Sequence, residues 1–169
     1  LDTLLLVWQE FAYSSVKKAE LQDIMCDILE LKKVGILKGT LTRWLSTFPA
    51  VSNLKKAFQG VVMQFKQATV PSAGAAAHAL TIQKLCSFNF LASVYFLVDM
   101  LRPLHIRHAQ LQSPSLILQD VETYYMKARG TFQAFITKGC TEQTTPNLMQ
   151  FVTEVCTGKI DEKMIPRLQ

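Results

Sequence analysis

Apolar side chains recur at helical spacing along most of this chain, and that periodicity restricts the folds open to it. No stretch alternates apolar and polar residues between turn signals, as a half-buried strand would. One helical arc between Thr47 and the break at Val70–Gly74 collects the apolar residues Val51, Leu54, Phe58, Val61, Val62 and Phe65. The sequence therefore predicts an all-α fold, an irregular bundle of about six to seven helices.

Interruptions in this periodicity set the expected order of the helices. Thr47 is the expected N-cap of the third helix, with Pro49 in its first turn, where a missing N–H costs nothing. The expected helices run over Leu4–Ala12, over Ala19–Leu31, from Thr47, from Ala75, over Phe88–Gln112, from Ser113 to Lys138 and over Leu148–Cys156. We expect one domain, with leading helices and a basic loop in 1–46, a helical body in 47–156 and a loose tail in 157–169.

Charge is distributed unevenly along the chain. None of the 13 acidic residues lies between Leu31 and Val98, whereas eight of the 18 Lys and Arg residues do. The net charge of +5 therefore understates the local positive field. Such a window is either a footprint for a polyanion or a solvated surface whose acids fell elsewhere by chance. Of the two, we favour the footprint.

Lysines of this window fall into two sets of candidate phosphate contacts. A basic loop is expected before the third helix, and the polar arc of that helix is expected to hold further lysines out to solvent, as any surface helix does. The loop residues are Lys32, Lys33 and Lys38, and the helix residues are Lys55, Lys56 and Lys66.

Arg43 and Trp44 lie side by side in the same window. A guanidinium can bind phosphate oxygens in a bidentate way, and an aromatic ring stacked on an unpaired base contributes roughly 1–3 kcal/mol. The alternative is that Trp44 is buried in the core and anchors the loop there. Without any resemblance to a known family, burial in the core is favoured over base stacking.

No arrangement of residues identifies a catalytic centre, a metal site or a cofactor. Asp120 and Glu122 are two residues apart on a helix and diverge. His105 and His108 share a helical face but have no further ligand within a turn, so we expect a solvated, mildly basic surface there. The apolar stretch Phe88–Leu101 falls short of the roughly 20 residues that span a bilayer and is expected to be a buried core helix. We expect neither an enzyme nor a membrane protein.

One set of segments, spread over most of the chain, resembles a known family. It comprises Lys17–Leu21, Lys32–Lys33, Leu41–Ser46, Ala50–Val51 with Leu54, Phe90–Leu91, Phe96–Leu104 and Leu111–Gln112. These segments resemble the hAT-type DNA transposases, and look closest to domesticated vertebrate relatives in which hAT-like sequence follows zinc-finger modules.

The resemblance implies a place for this chain in the family's architecture. In that family a large all-α insertion interrupts an RNase H-like catalytic fold, and an Arg-Trp step lies near the entry to the insertion. The resemblance therefore implies that this chain is mainly the insertion. None of its acids matches the family's catalytic residues, so the resemblance implies a fragment that does not cut DNA. The family's tryptophan stabilises a flipped base at the cleaved DNA end. The resemblance therefore implies base stacking by Trp44 and a DNA backbone contact by Arg43.

Two functions stay open. The first is weak, non-catalytic DNA binding by a fragment of a transposase-like, domesticated and hence nuclear protein. The second is a helical protein-interaction module without DNA binding. Salt distinguishes the two, because phosphate contacts lose affinity steeply as the salt concentration rises.

Overall fold

The all-α prediction is confirmed. A computed structural model describes residues 2–30, 32–39, 44–67 and 75–157, and within these ranges it contains seven α-helices and no strand. The helices are α1 (Asp2–Ala12), α2 (Ser15–Asp23), α3 (Trp44–Gln67), α4 (Ala75–Leu85), α5 (Phe88–Leu111), α6 (Leu118–Lys138) and α7 (Pro146–Cys156). A π-helical turn, Ile24–Ile28, extends α2.

The centre of the bundle is the contact between α3 and α5. Helices α2 and α4 also pack against α3, α1 packs against α2 and α4, and α6 and α7 pack against α5. The apolar arc expected for the third helix is confirmed, since Val51, Leu54, Val61, Val62 and Phe65 are buried and Phe58 is partly so. Burial of these side chains is the main driving force for assembling the bundle.

Several helix boundaries differ from the expected ones. Helix α3 begins at Trp44, so Thr47 is not its N-cap, Pro49 lies in its second turn, and the expected boundary at 46/47 falls inside a helix. Helix α2 begins at Ser15 rather than at residue 19, because the Ser14 hydroxyl accepts a hydrogen bond from the Lys17 N–H at 3.2 Å.

The start of α6 also lies later than expected. Ser113 and Ser115 form a turn joined through their hydroxyl groups at 2.9 Å, and α6 starts only at Leu118. Its first turn is closed by Asp120, whose carboxylate accepts a hydrogen bond from the Ile117 N–H at 3.4 Å. Gly139, with φ of 66°, ends α6 at the expected place.

Helix α5 is the expected buried core helix. Its apolar face buries Leu91, Val94 and Val98, and the helix continues through Pro103. Among the described helices, none alone is long and apolar enough to cross a bilayer, although α4 and α5, bent by 57° at their junction, meet that test as a pair.

Helix α7 docks onto α5 through aromatic rings and one carboxylate. The ring of Phe151 is buried and lies 4.8 Å from the ring of Tyr95 and 5.6 Å from that of Phe88. Asp99 of α5 is only 5% exposed and accepts hydrogen bonds from the first turn of α7. This contact explains why α7 begins at Pro146, two residues before the expected start.

Candidate nucleic-acid interface

Residues 32–39 form an extended segment, here called the basic strap, that connects α2 to α3 without helical hydrogen bonds. Two side-chain amides hold its backbone: Gln22 donates to the Val34 carbonyl at 3.2 Å, and Asn53 donates to the Gly35 carbonyl at 2.9 Å. The side chains of Val34 and Ile36 pack against the core. The strap is therefore fixed on the body although it has no secondary structure of its own.

Close packing at one end of the strap depends on a glycine. A Cβ atom at Gly39 would lie 2.9 Å from Cδ2 of Leu4 in α1, which is closer than real side chains approach. The absence of a side chain at Gly39 thus lets the strap lie directly on α1.

The three lysines of the strap are exposed, as the sequence predicts for a basic loop. Lys32 and Lys33 stand at its start, and Lys38 stands near its end. The ammonium of Lys38 lies 4.7 Å from the centre of the Trp8 ring, a distance typical of a cation–π contact.

An aromatic pair adjoins Lys38. The rings of Trp8 and Tyr13 meet edge to face at 6.0 Å, and Tyr13 is 85% exposed. Sequence reasoning placed Trp8 only within the first helix and gave Tyr13 no role. The sequence does contain one indication of this pair. Tyr13 directly follows the last apolar position of an amphipathic helix, so the core does not require it and its ring is free to lie at the surface.

Lys55 is only partly exposed, not held out to solvent as expected. Its ammonium donates a hydrogen bond to the Asn147 side chain and lies 4.7 Å from the centre of the Tyr95 ring. Burial lowers the pKa of Lys55 from its ordinary value of 10.5, and the carboxylates of Asp99 and Glu154 partly oppose that shift. The prediction of a solvent-facing Lys55 is wrong because α5 and α7 cover this part of the polar arc.

Lys56 and Lys66 are exposed, but they lie far apart. Lys56 is three residues from Asn53 and so shares the face of α3 that holds the strap. Lys66 lies about 15 Å further along the helix axis. There it lies near Cys86, where burial raises the pKa of the thiol and the Lys66 charge lowers it. Lys56 therefore lies on the face of α3 that holds the strap, whereas Lys55 contacts α5 and α7 and Lys66 lies further along the helix.

The Arg-Trp step is only partly within the described residues. Arg43 lies outside them, and of Trp44 the backbone alone is described, as the first residue of α3.

Of the two histidines of α5, His105 differs from expectation. It is only partly exposed: its ring lies 4.7 Å from that of Phe48, and its Nδ1 atom is buried without a hydrogen-bond partner. His108 contacts the Gln112 side chain at 3.3 Å. Within the described ranges, no group of three or more His, Cys, Asp or Glu side chains is arranged to hold a metal ion.

A cleft of ≈ 310 Å³ lies where α1, α2 and α3 meet. Glu10 forms an ion pair there with Lys17, and Nε2 of His78 lies 3.3 Å from the Glu10 carboxylate. Gln64 is only 7% exposed and donates to the Lys17 carbonyl at 2.8 Å and to the Glu20 carboxylate at 3.0 Å, which leaves its Oε1 atom without a partner. Because its charged groups are mostly paired, we assign this cleft a structural role.

Comparison with known proteins supplies no family for this chain. Protein-family models, curated proteins and solved structures were searched, and none matched.

Proposed function

We propose that this chain binds nucleic acid weakly and without catalysis, with the basic strap as the principal contact. The observation that carries the proposal is the exposure of Lys32, Lys33 and Lys38 on a fixed segment, with Lys38 lying against the aromatic pair of Trp8 and Tyr13. Cations next to an accessible ring are the combination that single-stranded nucleic-acid sites use.

Each part of this surface has a distinct task in the proposal. The strap lysines and Lys56 contact phosphates, which supplies affinity without sequence preference. Tyr13 stacks on an unpaired base, while Trp8 supports the Tyr13 ring from its edge. The preferred ligand is therefore DNA with unpaired bases, bound with a Kd at or above the micromolar level, within the non-specific range of roughly 10⁻⁴–10⁻⁶ M.

The hAT resemblance adds a context to this proposal. In that context the chain is the helical insertion of an RNase H-like transposase-derived protein, and it acts in the nucleus. Trp44 then stacks on a flipped base and Arg43 contacts the adjacent backbone. These two roles are supported by the Leu41–Ser46 segment and are independent of the strap.

The strap is tested by neutralising its lysines. Fluorescence anisotropy would measure binding of a labelled single-stranded DNA to wild type, to the triple variant Lys32→Gln, Lys33→Gln, Lys38→Gln, and to a control triple variant Lys84→Gln, Lys127→Gln, Lys138→Gln. The control removes the same formal charge from exposed positions on α4 and α6. Each lost phosphate contact lowers the salt slope of log K by about 0.7, so the strap variant should lose about 2 and the control close to nothing.

Two results would contradict the proposal. One is equal weakening by the strap and control variants, which would mean that only the net charge matters. The other is a wild-type affinity that does not depend on salt.

Protein interaction is the second candidate function, and a separate observation favours it. Helix α6 leaves apolar side chains in solvent along much of its length, including Leu118, Tyr125 and Ile136. Contiguous exposed apolar surface of this kind is typical of protein-binding sites. Binding through such a surface should change little with salt.

A further inference from the structure

Helix α6 is amphipathic, yet none of its 21 residues is buried. It packs mainly against α5. The side chains that face α5 are half-buried and include Tyr124, Ala128 and Phe135. An isolated helix of this kind is unstable in water unless its apolar face is covered.

A second row of apolar side chains lies beside the row that faces α5. On a helical projection Leu118, Val121, Tyr125, Phe132 and Ile136 fall within an arc of about 60°, here called the α6 stripe. Leu118 is 85% exposed, Ile136 is 77% exposed and Tyr125 is 66% exposed. The contact with α5 therefore covers only part of the apolar face.

Two opposite charges border the α6 stripe on its solvent side. Glu122 and Arg129 are both exposed and lie seven residues apart, about 10 Å along the axis. Neither forms an ion pair with any residue in the described part of the chain. The midpoint between them falls at Tyr125 and Met126, near the middle of the stripe.

This arrangement is complementary to itself. If a second α6 lies antiparallel across the stripe, with a two-fold axis at the midpoint, Glu122 of each copy faces Arg129 of the other. A parallel pair would instead place Glu122 against Glu122 and Arg129 against Arg129. A two-fold interface uses the same patch on both copies, so one self-complementary patch satisfies it.

We propose that the α6 stripe is covered by a second copy of this chain, in an antiparallel α6–α6 contact fixed by two Glu122–Arg129 pairs. The inference deepens the protein-interaction candidate by naming its partner, and it does not depend on DNA binding. With Glu122 opposite Arg129, the two helices overlap only from residue 118 to residue 133, over about 24 Å, so the interface is small and a Kd in the micromolar range is expected.

Charge-reversal variants test this pairing, and the double variant is the control for the two single variants. Analytical ultracentrifugation over a concentration series would compare wild type with Glu122→Arg, Arg129→Glu and the double variant. Either single reversal creates two like-charge contacts across the axis and should weaken dimerisation about tenfold or more. The double variant restores both pairs and should dimerise like wild type. A mixture of the two single variants should form heterodimers.

Further variants separate this contact from general effects of charge or stability. Lys127→Glu, on the opposite side of α6, should leave the dimer Kd unchanged. Tyr125→Ser, at the two-fold axis, should weaken the dimer, while circular dichroism shows an unchanged helical content. The samples contain no DNA and no other protein, so the result concerns the second copy alone, and the DNA titration of the lysine variants is decided separately.

Three results would overturn the proposal. A wild-type chain that remains monomeric up to the highest soluble concentration shows that another partner, or none, covers the stripe. Single reversals without effect would remove α6 from any dimer that is seen. A double variant as weak as the single variants would exclude the antiparallel pairing.

Discussion

The Asp99 carboxylate accepts hydrogen bonds from both the backbone N–H and the side-chain amide of Asn147, 48 residues further along the chain. The N–H of Leu148 donates to the other carboxylate oxygen at 3.0 Å. The first N–H groups of a helix lack partners within it, and their positive dipole end favours an anion. Asp99 therefore supplies from α5 the cap that α7 does not supply itself.

Replacing Asp99 should destabilise the bundle more than replacing an ordinary capping residue. Asp99→Ala leaves half-buried N–H groups without a partner and should lower the free energy of unfolding by roughly 1–3 kcal/mol. Asp120→Ala is the matched control, because Asp120 caps α6 at a more exposed position and its loss should cost only about 0.5–1 kcal/mol. Urea unfolding measures both. If the two variants lose the same free energy of unfolding, the contact of Asp99 between α5 and α7 contributes no more than an ordinary helix cap.

Two glycines in helix interiors should respond in opposite ways to alanine. A Cβ at Gly60 would lie 3.0 Å from Cγ of Met25 and 3.2 Å from Cδ1 of Leu21, whereas a Cβ at Gly130 meets nothing within 4 Å. Gly60→Ala should therefore lose about 1–3 kcal/mol of stability through overpacking. Gly130→Ala should gain roughly 0.5–1 kcal/mol from helix propensity. Thermal and urea unfolding would show the difference, and a stabilised Gly60→Ala would contradict the packing of α3 on α2.

Tyr95 should make the protein lose stability in alkali. Burial raises the pKa of its phenol above the ordinary value of 10.0, and the nearby Glu154 carboxylate raises the pKa further. Above pH 10.0 the folded state therefore keeps a proton that the unfolded state releases. The stabilisation by protonated Tyr95 is complete below pH 10.0 and is lost as the pH rises through the higher folded pKa.

The Tyr95→Phe variant removes this titration and keeps the ring that packs on Phe151. Urea unfolding at pH 9 to 11 should show a smaller loss of stability for Tyr95→Phe than for wild type. A Tyr13→Phe control, at an exposed position, should retain the wild-type loss. Parallel stability curves for wild type and Tyr95→Phe would mean that Tyr95 ionises as readily in the folded protein as in the unfolded chain.

Tyr13 should contribute to binding of single-stranded DNA without contributing to stability. The loss of one stacked base is worth roughly 1–3 kcal/mol, so Tyr13→Ala should weaken binding by at least about fivefold. Because Tyr13 is highly exposed, the melting temperature should hardly change. Tyr13→Phe keeps the ring and should retain the wild-type affinity. An unchanged affinity of Tyr13→Ala would remove the aromatic pair from the interface.

Trp44→Ala separates the two roles that the sequence leaves open for this tryptophan. If Trp44 stacks on a flipped base, its loss should weaken binding to a hairpin-ended DNA about tenfold and leave the melting temperature nearly unchanged. Both quantities are measured on the same protein. A loss of roughly 3–5 kcal/mol of stability would instead assign Trp44 to the core.

Local periodicity predicts the part of this fold that depends on neighbours in sequence. The buried arc of α3, the basic loop and the end of α6 at Gly139 follow from apolar spacing and from glycine, which act over one or two helical turns. The start of α3 was misplaced because Thr47 and Pro49 together resemble a helix start, although the helix continues through both. Pro49 is tolerated there at the loss of one hydrogen bond.

The surroundings of the candidate site depend on residues far apart in sequence, which no local pattern encodes. Lys55 lies on the polar arc of α3, and only the packing of α5 and α7 brings Tyr95 and Asn147 to it. Asp99 gave a sequence signal of a different kind. A single acid within the apolar stretch before Pro103 indicates a buried, bonded carboxylate, but it does not identify the partner.

Because the basic strap lacks helical hydrogen bonds, its order depends on residues outside it. Fixing the backbone of a free segment costs roughly 1–2 kcal/mol per residue in conformational entropy. Two hydrogen bonds, from Gln22 and Asn53, and the packing of Val34 and Ile36 offset this entropy cost when the chain folds. The strap is therefore ordered before a ligand binds. In the proposed interaction a polyanion therefore meets lysines on a preorganised backbone. Gln22 and Asn53, two uncharged residues that touch no phosphate, would then help determine how strongly this chain binds.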